Sequence, residues 1–188
     1  MFFSSGFRLL FYWFVPLLLP LFEVKAPVCE VCSATGSLCQ SCQSKLDSGK
    51  ISQLDVRVSA LLHELEKRFA LEAVEFEKSF EAPKLVVLVT STDPGVLIGK
   101  GGRVASELSK SLGKHVKIIG SKQERHFAVE ELLAPTKPLG INELFSSSGK
   151  KYKLRIARYE HRRLPMPLDT IKQVLAFLYG GTVDVVFE

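Results

Sequence analysis

Residues 93–113, DPGVLIGKGGRVASELSKSLG, decide how the rest of the chain is interpreted. Asp93 can cap the start of a helix, and Pro94 follows at the first helical position, where its missing N–H costs nothing. The glycine loop at 99–102 cannot continue that helix at low cost. A second helix then begins at Arg103, with apolar residues at four-residue spacing and a glycine at its end. The stretch predicts a short helix, a glycine loop and a longer helix in direct succession.

The loop itself, Gly99-Lys100-Gly101-Gly102, has the character of a phosphate site. Glycines carry no side chains that would hold phosphates away, and helix N-termini offer backbone N–H donors. Lys100 and Arg103 add positive charge at the same place. A sugar–phosphate backbone could therefore approach closely here. The alternative is a glycine turn that only joins two packed helices.

Ile98 and the loop together resemble the I-G-x-x-G signature of KH domains, between an apolar strand and a helix. In that family the loop clamps about four nucleotides of single-stranded nucleic acid. The resemblance implies that Gly99, Lys100, Gly101, Gly102 and Arg103 bind the backbone. It also implies that Val86, Leu88 and Ile98 build an apolar floor on which bases rest.

The elements around the loop complete a pattern that covers residues 51–120. A capping box, Ser52-x-x-Asp55, begins a helix with one apolar stripe. An alternating strand near 74–80 and a doubly apolar strand at 85–89 follow it, and a last strand at 115–119 follows the second helix. This order resembles the type II arrangement of KH domains. We therefore expect an α+β fold.

Residues 121–188 repeat this order at an offset of 67 residues, which places Gly113 on Gly180. The segment 161–167, HRRLPMP, stands where the glycine loop would be. We therefore predict a degenerate second KH-like unit that lacks GxxG. Its expected elements are a helix at 123–133, strands at 141–145 and 152–158, a helix at 168–178 and a strand at 182–187.

The net charge is +5, and the basic residues collect at two places. One group surrounds the glycine loop: Lys100, Arg103, Lys110, Lys114 and Lys117. The other falls within fourteen residues: Lys150, Lys151, Lys153, Arg155, Arg158, Arg162 and Arg163. Such a run is usually a solvated strand edge, but a basic surface over both units would follow a nucleic-acid backbone further than one loop. RNA contacts are accordingly also predicted at Lys153, Arg155, Arg162 and Arg163.

The chain has four cysteines, in two CxxC pairs separated by six residues: Cys29, Cys32, Cys39 and Cys42. Two such pairs bring four thiolates within reach of one tetrahedral ion, as in a structural Zn2+ site. Residues 24–50 are thus predicted to form a small zinc knuckle whose metal replaces a hydrophobic core. The alternatives are two disulfides in an oxidising compartment, or redox-active CxxC pairs.

Residues 1–23 differ from the remainder, with the uncharged run LLFYWFVPLLLPLF at 9–22. The run resembles a signal-peptide core or a short membrane anchor, although two prolines interrupt it. A third interpretation is that the protein begins at Val24, because valine can be the formal reading of an alternative start codon. We expect a cytoplasmic protein, with anchoring through residues 9–22 as the alternative.

Residues 25–188 are similar to small archaeal proteins related to the KH region of the transcription factor NusA. The resemblance implies binding of single-stranded RNA, a role in transcription elongation or nascent-RNA handling, and RNA polymerase or the ribosome as partners. NusA's polymerase-binding domain has no counterpart here. The alternative is a zinc-dependent module that docks on such a machine and contacts RNA only secondarily. No enzyme is expected, since the sequence has no nucleophile–base pair, Walker-type loop or open metal site.

Overall fold

The computed structural model describes residues 24–69, 71, 73–146 and 149–188. Within these ranges the fold is α+β, with seven α-helices and two three-stranded sheets. None of the helices in the described part of the chain combines the length and apolar character needed to cross a bilayer. The hydrophobic run at 9–22, and the interpretations attached to it, lie outside the described residues.

The first sheet belongs to a helix–strand–strand–helix–loop–helix–strand unit, in the order that the sequence predicts. Its strands lie side by side in chain order, the first two antiparallel and the last two parallel. The elements up to this sheet are α1 (Glu30–Thr35), α2 (Gln40–Asp47), α3 (Gln53–Phe69), β1 (Phe76–Glu81), β2 (Leu85–Thr90), α4 (Pro94–Ile98), a 3-10 turn (Lys100–Gly102), α5 (Arg103–Leu112) and β3 (His115–Gly120).

The second sheet repeats the topology of the first, with one antiparallel and one parallel pairing in the same order. Gly113 and Gly180, which the offset aligns, both end a helix in the left-handed conformation, with φ of 68° and 65°. A 3-10 helix stands where the first unit has its glycine loop. The elements are α6 (Arg125–Leu133), β4 (Pro138–Ser146), β5 (Gly149–Ile156), the 3-10 helix (Arg158–Arg163), α7 (Leu168–Tyr179) and β6 (Thr182–Phe187).

The first sheet is covered on both faces, which explains why β2 is buried throughout and apolar from Leu85 to Val89. One face packs on α3 and α5 in what we call the front cluster, which contains Val86, Leu88 and Ile118. The other face packs on α6 and α7 in the shared cluster, which contains Val87, Val89 and Ile119. The shared cluster also holds the inner side chains of β5. The two halves of the chain therefore share one hydrophobic core.

Strand β1 departs from the simple alternation that its sequence predicts. Its pairing with β2 shifts register between Phe76 and Lys78. Since such a shift moves the following side chains to the opposite face, Phe76 packs in the front cluster whereas Phe80 packs on the shared one. Phe80 meets the ring of Phe177 on α7 at 5.7 Å between centroids. Ser79 is consequently turned toward α3.

Asp55 uses this arrangement to fasten the start of α3 to β1. The predicted capping box is formed: Ser52 N donates to Asp55 Oδ2 at 2.7 Å, and Asp55 N donates to Ser52 Oγ at 3.0 Å. The other carboxylate oxygen, Oδ1, accepts from Ser79 N at 2.6 Å and from the Ser79 hydroxyl. Lys78 Nζ lies 3.6 Å from Oδ2. A fully buried carboxylate thus has partners on both of its oxygens.

Candidate nucleic-acid interface and metal centre

Helix α4 leads directly into the glycine loop, as the local sequence predicts. Asp93 Oδ1 accepts from Gly95 N at 2.8 Å, and Pro94 occupies the first turn. Leu97 is buried in the front cluster and anchors the helix. The chain then turns at Gly99, whose φ of 71° and ψ of 166° lie in a region that is essentially restricted to glycine. This turn separates α4 from α5.

The three loop glycines serve two different purposes. A Cβ on Gly99 would lie 2.6 Å from Cγ2 of Val104, so this glycine lets α4 and α5 pack closely. A Cβ on Gly101 or Gly102 would meet no atom of the described residues within 4 Å. Gly102 is the N-cap of α5, and no side chain of the described part of the chain caps that helix. An anion can therefore approach the first-turn N–H groups of α5 from outside.

This difference predicts that Gly99→Ala is more destabilising than Gly101→Ala. Gly101 has φ 64° and ψ 25°, where alanine costs about 1 kcal/mol. At Gly99 the backbone strain of about 1–3 kcal/mol is joined by an overpacking cost of similar size against Val104. We expect urea denaturation to give a free energy of unfolding at least about 2 kcal/mol lower for Gly99→Ala than for Gly101→Ala. Equal values would mean that Gly99 does not set the packing of the two helices.

Only part of the basic group around the loop remains directed at it. Lys110 pairs with Glu107 at 2.8 Å, and Lys114 pairs with Glu81 at 2.7 Å. Lys117 Nζ donates to the carbonyl oxygens of Leu132 and Ala134, at 3.1 and 2.9 Å, at the C-terminal end of α6. Burial lowers the pKa of Lys117, as expected for an ammonium that is half removed from water. Lys100 and Arg103 are exposed beside the glycines.

The structure corrects the predicted role of Val86 and Leu88. Their exposed fractions are 1% and 0%, and both side chains lie in the front cluster beneath α3 and α5. A base cannot rest on them, because the helices already cover this face of β2. Ile98, at the end of α4, is 37% exposed and remains accessible beside the loop. The apolar surface next to the glycines is therefore smaller than the sequence suggested.

The predicted contacts of the second unit lie on two elements. Lys153 and Arg155 project from one face of β5, which is the central strand of its sheet. They therefore do not lie on an edge strand, which is where a basic run of this kind is usually found. Lys153 Nζ and Arg155 Nε lie 4.0 and 3.8 Å from the Glu188 carboxylate. Arg162 and Arg163 are exposed at the end of the 3-10 helix. These four side chains surround no open glycine loop comparable to 99–102.

The sequence analysis missed Lys67, Arg68 and Phe69 as neighbours of the glycine loop. They form the C-terminal end of α3 and line a cleft together with Lys100 and Arg103. Phe69 falls in the apolar stripe of α3, and this spacing alone indicates a core residue. Nothing in the spacing of the sequence signals that this helix end and the loop meet, because the contact depends on how α3 crosses α5.

The four cysteines converge as the CxxC spacing predicts. Their Sγ atoms all lie within 4.8 Å of one another. A tetrahedral Zn2+ site with Zn–S bonds of about 2.3 Å requires S···S separations of about 3.8 Å, so the cluster has a suitable size. Cys29 Sγ lies 3.2 Å from Cys32 Sγ and 3.9 Å from Cys39 Sγ, and all four are free thiols rather than disulfides. The cluster could hold a metal ion, consistent with structural zinc.

Backbone donors around the sulfurs favour the thiolate forms that a metal needs. Cys39 N donates to Cys32 Sγ at 3.0 Å, and Cys29 N lies 3.5 Å from Cys42 Sγ. The backbone N–H of Cys42 is the largest contribution that lowers the pKa of Cys39 to about 7, whereas the Cys29 sulfur and burial raise the pKa values of Cys32 and Cys42. Cys29 and Cys39 are the N-caps of α1 and α2, so each CxxC pair spans a first helical turn. Such hydrogen bonds are typical supports of metal-bound sulfur.

The cysteine cluster is also fixed to the rest of the fold. Cys32 and Cys42 are buried in a small cluster with Val28 and Ile51, against which Val56 of α3 packs. Lys45 Nζ donates to the carbonyl oxygen of Pro27 at 3.1 Å. Val24 and Lys25, which precede the four cysteines, lie beside the start of β1, where Lys25 N donates to Val74 O at 2.7 Å. The knuckle therefore lies at the N-terminal end of α3.

Comparisons with known proteins give a similarity to solved structures but no family. No family model matches the chain, and no curated protein matches it. A solved structure described as "Crystal structure of APE1850" is similar to this one with a TM-score of 0.46 and 18% sequence identity. The similarity covers 68% of this chain and 96% of that chain.

Proposed function

We propose that the chain is a single-stranded RNA-binding protein whose glycine loop, 99–102, clamps a sugar–phosphate backbone as in a type II KH domain. The observation that carries this proposal is the open outer side of the loop. Gly101 and Gly102 present no side chains there, and the adjoining α5 has no side-chain cap among the described residues. The order of helices and strands, with β2 parallel to β3, is consistent with it.

In this proposal, phosphates lie against the first turn of α5, and Lys100 and Arg103 supply charge from exposed positions on either side of Gly101 and Gly102. Ile98 offers the nearest exposed apolar contact. Backbone groups and two flexible cations read no base identity, so the binding is tolerant of sequence. Residues 121–188 form a KH-like unit without this loop, and four of its basic side chains extend the contact: Lys153, Arg155, Arg162 and Arg163.

The remaining parts of the proposal concern the metal, the chemistry and the setting. The donor set of four cysteines and the absence of an open ligand position in the CxxC pattern favour structural Zn2+, and the chain is not an enzyme. The resemblance to NusA-related archaeal proteins supports a cytoplasmic role in transcription elongation or nascent-RNA handling, alongside RNA polymerase or the ribosome. The role in transcription and the partners depend on RNA binding, whereas the metal assignment does not.

The test is fluorescence anisotropy with a labelled, unstructured RNA of about eight nucleotides, on the zinc-loaded full chain. Lys100→Asp with Gly101→Asp should weaken binding at least about tenfold, because two carboxylates then face the phosphates. Lys137→Asp, at an exposed position in the second unit, is the matched control and should bind as the wild type does. The control should melt at the wild-type temperature, and the loop variant should melt about 2–4 °C lower, because a side chain at Gly101 costs about 1 kcal/mol.

The outcomes separate the alternatives. Unchanged binding by the loop variant would move the RNA site away from the glycine loop. Absence of binding by the wild type would contradict the proposed function and leave the protein-docking module as the better account.

A further inference from the structure

A cleft of about 740 Å³ lies between the C-terminal end of α3 and the glycine loop. Two pairs of cations line it, one from α3 and one from the loop: Lys67, Arg68, Lys100 and Arg103. Phe69 and Val96 supply apolar surface between them. The cleft thus adjoins the loop on the side of α3, beyond the glycines themselves.

The charge of the cleft is positive because four cations line it and a single carboxylate, that of Glu66, lies among them. Glu66 lines the cleft, but its Oε1 accepts from Val24 N at 3.2 Å, and its Oε2 lies 3.8 Å from His63 Nδ1. Arg68 lies 3.8 Å from the Glu107 carboxylate, whereas Lys110 lies 2.8 Å from it. The pair with Arg68 is therefore the weaker of the two. Four cations against one engaged carboxylate favour an anionic ligand.

The apolar part of the cleft suits a flat, partly aromatic group. Phe69 and Val96 are both only partly buried where they pack on the front cluster, so their remaining surface is available. The guanidinium of Arg68 lies 5.6 Å from the centroid of the Phe69 ring. Aromatic surface flanked by cations is the combination that binds single-stranded nucleic acids, with the base stacked and the phosphate paired.

We propose that this cleft is a nucleotide subsite continuous with the glycine loop. The strand held by the loop extends toward α3, where a flanking base stacks on Phe69 and its phosphate faces Lys67. This inference rests on the proposed function, and it gives the bound strand a direction across the protein. A free nucleotide has the same chemistry, so the test includes one.

The test compares Lys67→Glu and Phe69→Leu with the wild type, on labelled RNAs of about four and about eight nucleotides. Both substitutions should lower affinity for the longer RNA by about fivefold or more and leave the shorter RNA, which fills only the loop, unaffected. Lys67→Glu should also reduce the magnitude of the salt-dependence slope with the longer RNA by about 0.7. Leucine keeps most of the packing of Phe69 on the core, and Lys137→Glu serves as the charge control.

Each further outcome decides between the proposal and its alternatives. Unchanged affinity of both variants for the longer RNA, with the loop variant still impaired, would overturn the subsite and leave the loop function standing. Wild-type binding of uridine monophosphate that Phe69→Leu abolishes, without any dependence on RNA length, would overturn the strand path and assign the cleft to a free nucleotide. Failure of the wild type to bind either RNA would remove the proposed function itself.

Discussion

Removal of the metal from the four-cysteine cluster should unfold the knuckle and leave the two sheets folded. Helices α1 and α2 have 6 and 8 residues, too few to be stable alone in water. Their small buried cluster includes two of the cysteines themselves. A structural zinc site contributes about 10–16 kcal/mol of apparent binding free energy in comparable small modules, so most of the local stability comes from the ion.

Chelation followed by amide hydrogen exchange measures this directly. Protection should be lost across residues 30–47 and retained in β2 and β5. Cys42→Ser should lose stoichiometric metal, as measured by elemental analysis. Cys42 is one of the four cysteines of the cluster, is buried, and has Cys29 N as the donor to its sulfur. Ser41→Ala, at the exposed neighbouring position, should keep it. Retention of metal by Cys42→Ser, or of protection after chelation, would contradict a four-thiolate structural site.

Asp55→Ala should lower the free energy of unfolding by about 2–4 kcal/mol. The substitution removes the acceptor of Ser52 N, which is one of the two hydrogen bonds of the capping box, and leaves the buried Ser79 N–H without its acceptor. Loss of one capping hydrogen bond costs about 1 kcal/mol, and a buried donor without a partner costs about 1–3 kcal/mol more. Guanidinium denaturation followed by circular dichroism provides the measurement.

Asp169→Ala is the matched control for Asp55→Ala. Asp169 also lies in the first turn of a helix, but it is exposed, and the hydrogen bonds of the described residues give its helix no side-chain cap. Its replacement should change the free energy of unfolding by about 0.5 kcal/mol or less. Similar decreases in the free energy of unfolding for the two substitutions would show that Asp55 contributes only through its charge near the helix N-terminus.

The features that the sequence predicted well are encoded within a few neighbouring residues. Asp93 and Pro94 begin α4, Ser52 and Asp55 form a capping box, and Gly113 ends α5. The CxxC pairs also act locally, since each spans one helical turn. In each case the residue type has one low-energy geometry, so the pattern alone was sufficient.

The features that it missed depend on contacts between distant segments. The bulge in β1 leaves the sequence alternation intact, and only the pairing with β2 reveals it. Lys117 was grouped with the glycine loop, but its ammonium reaches the end of α6. Val86 and Leu88 were correctly placed on a central strand, yet a strand covered on both faces offers nothing to a ligand. Periodicity describes a strand and leaves its neighbours unknown.

The double covering of the first sheet makes the two units depend on each other. Helices α6 and α7 shield Val87, Val89 and Ile119 from water. A fragment that ends at residue 120 would therefore expose these apolar side chains on one face of its sheet. The second unit lacks the glycine loop, yet it completes the hydrophobic core on which the first unit depends.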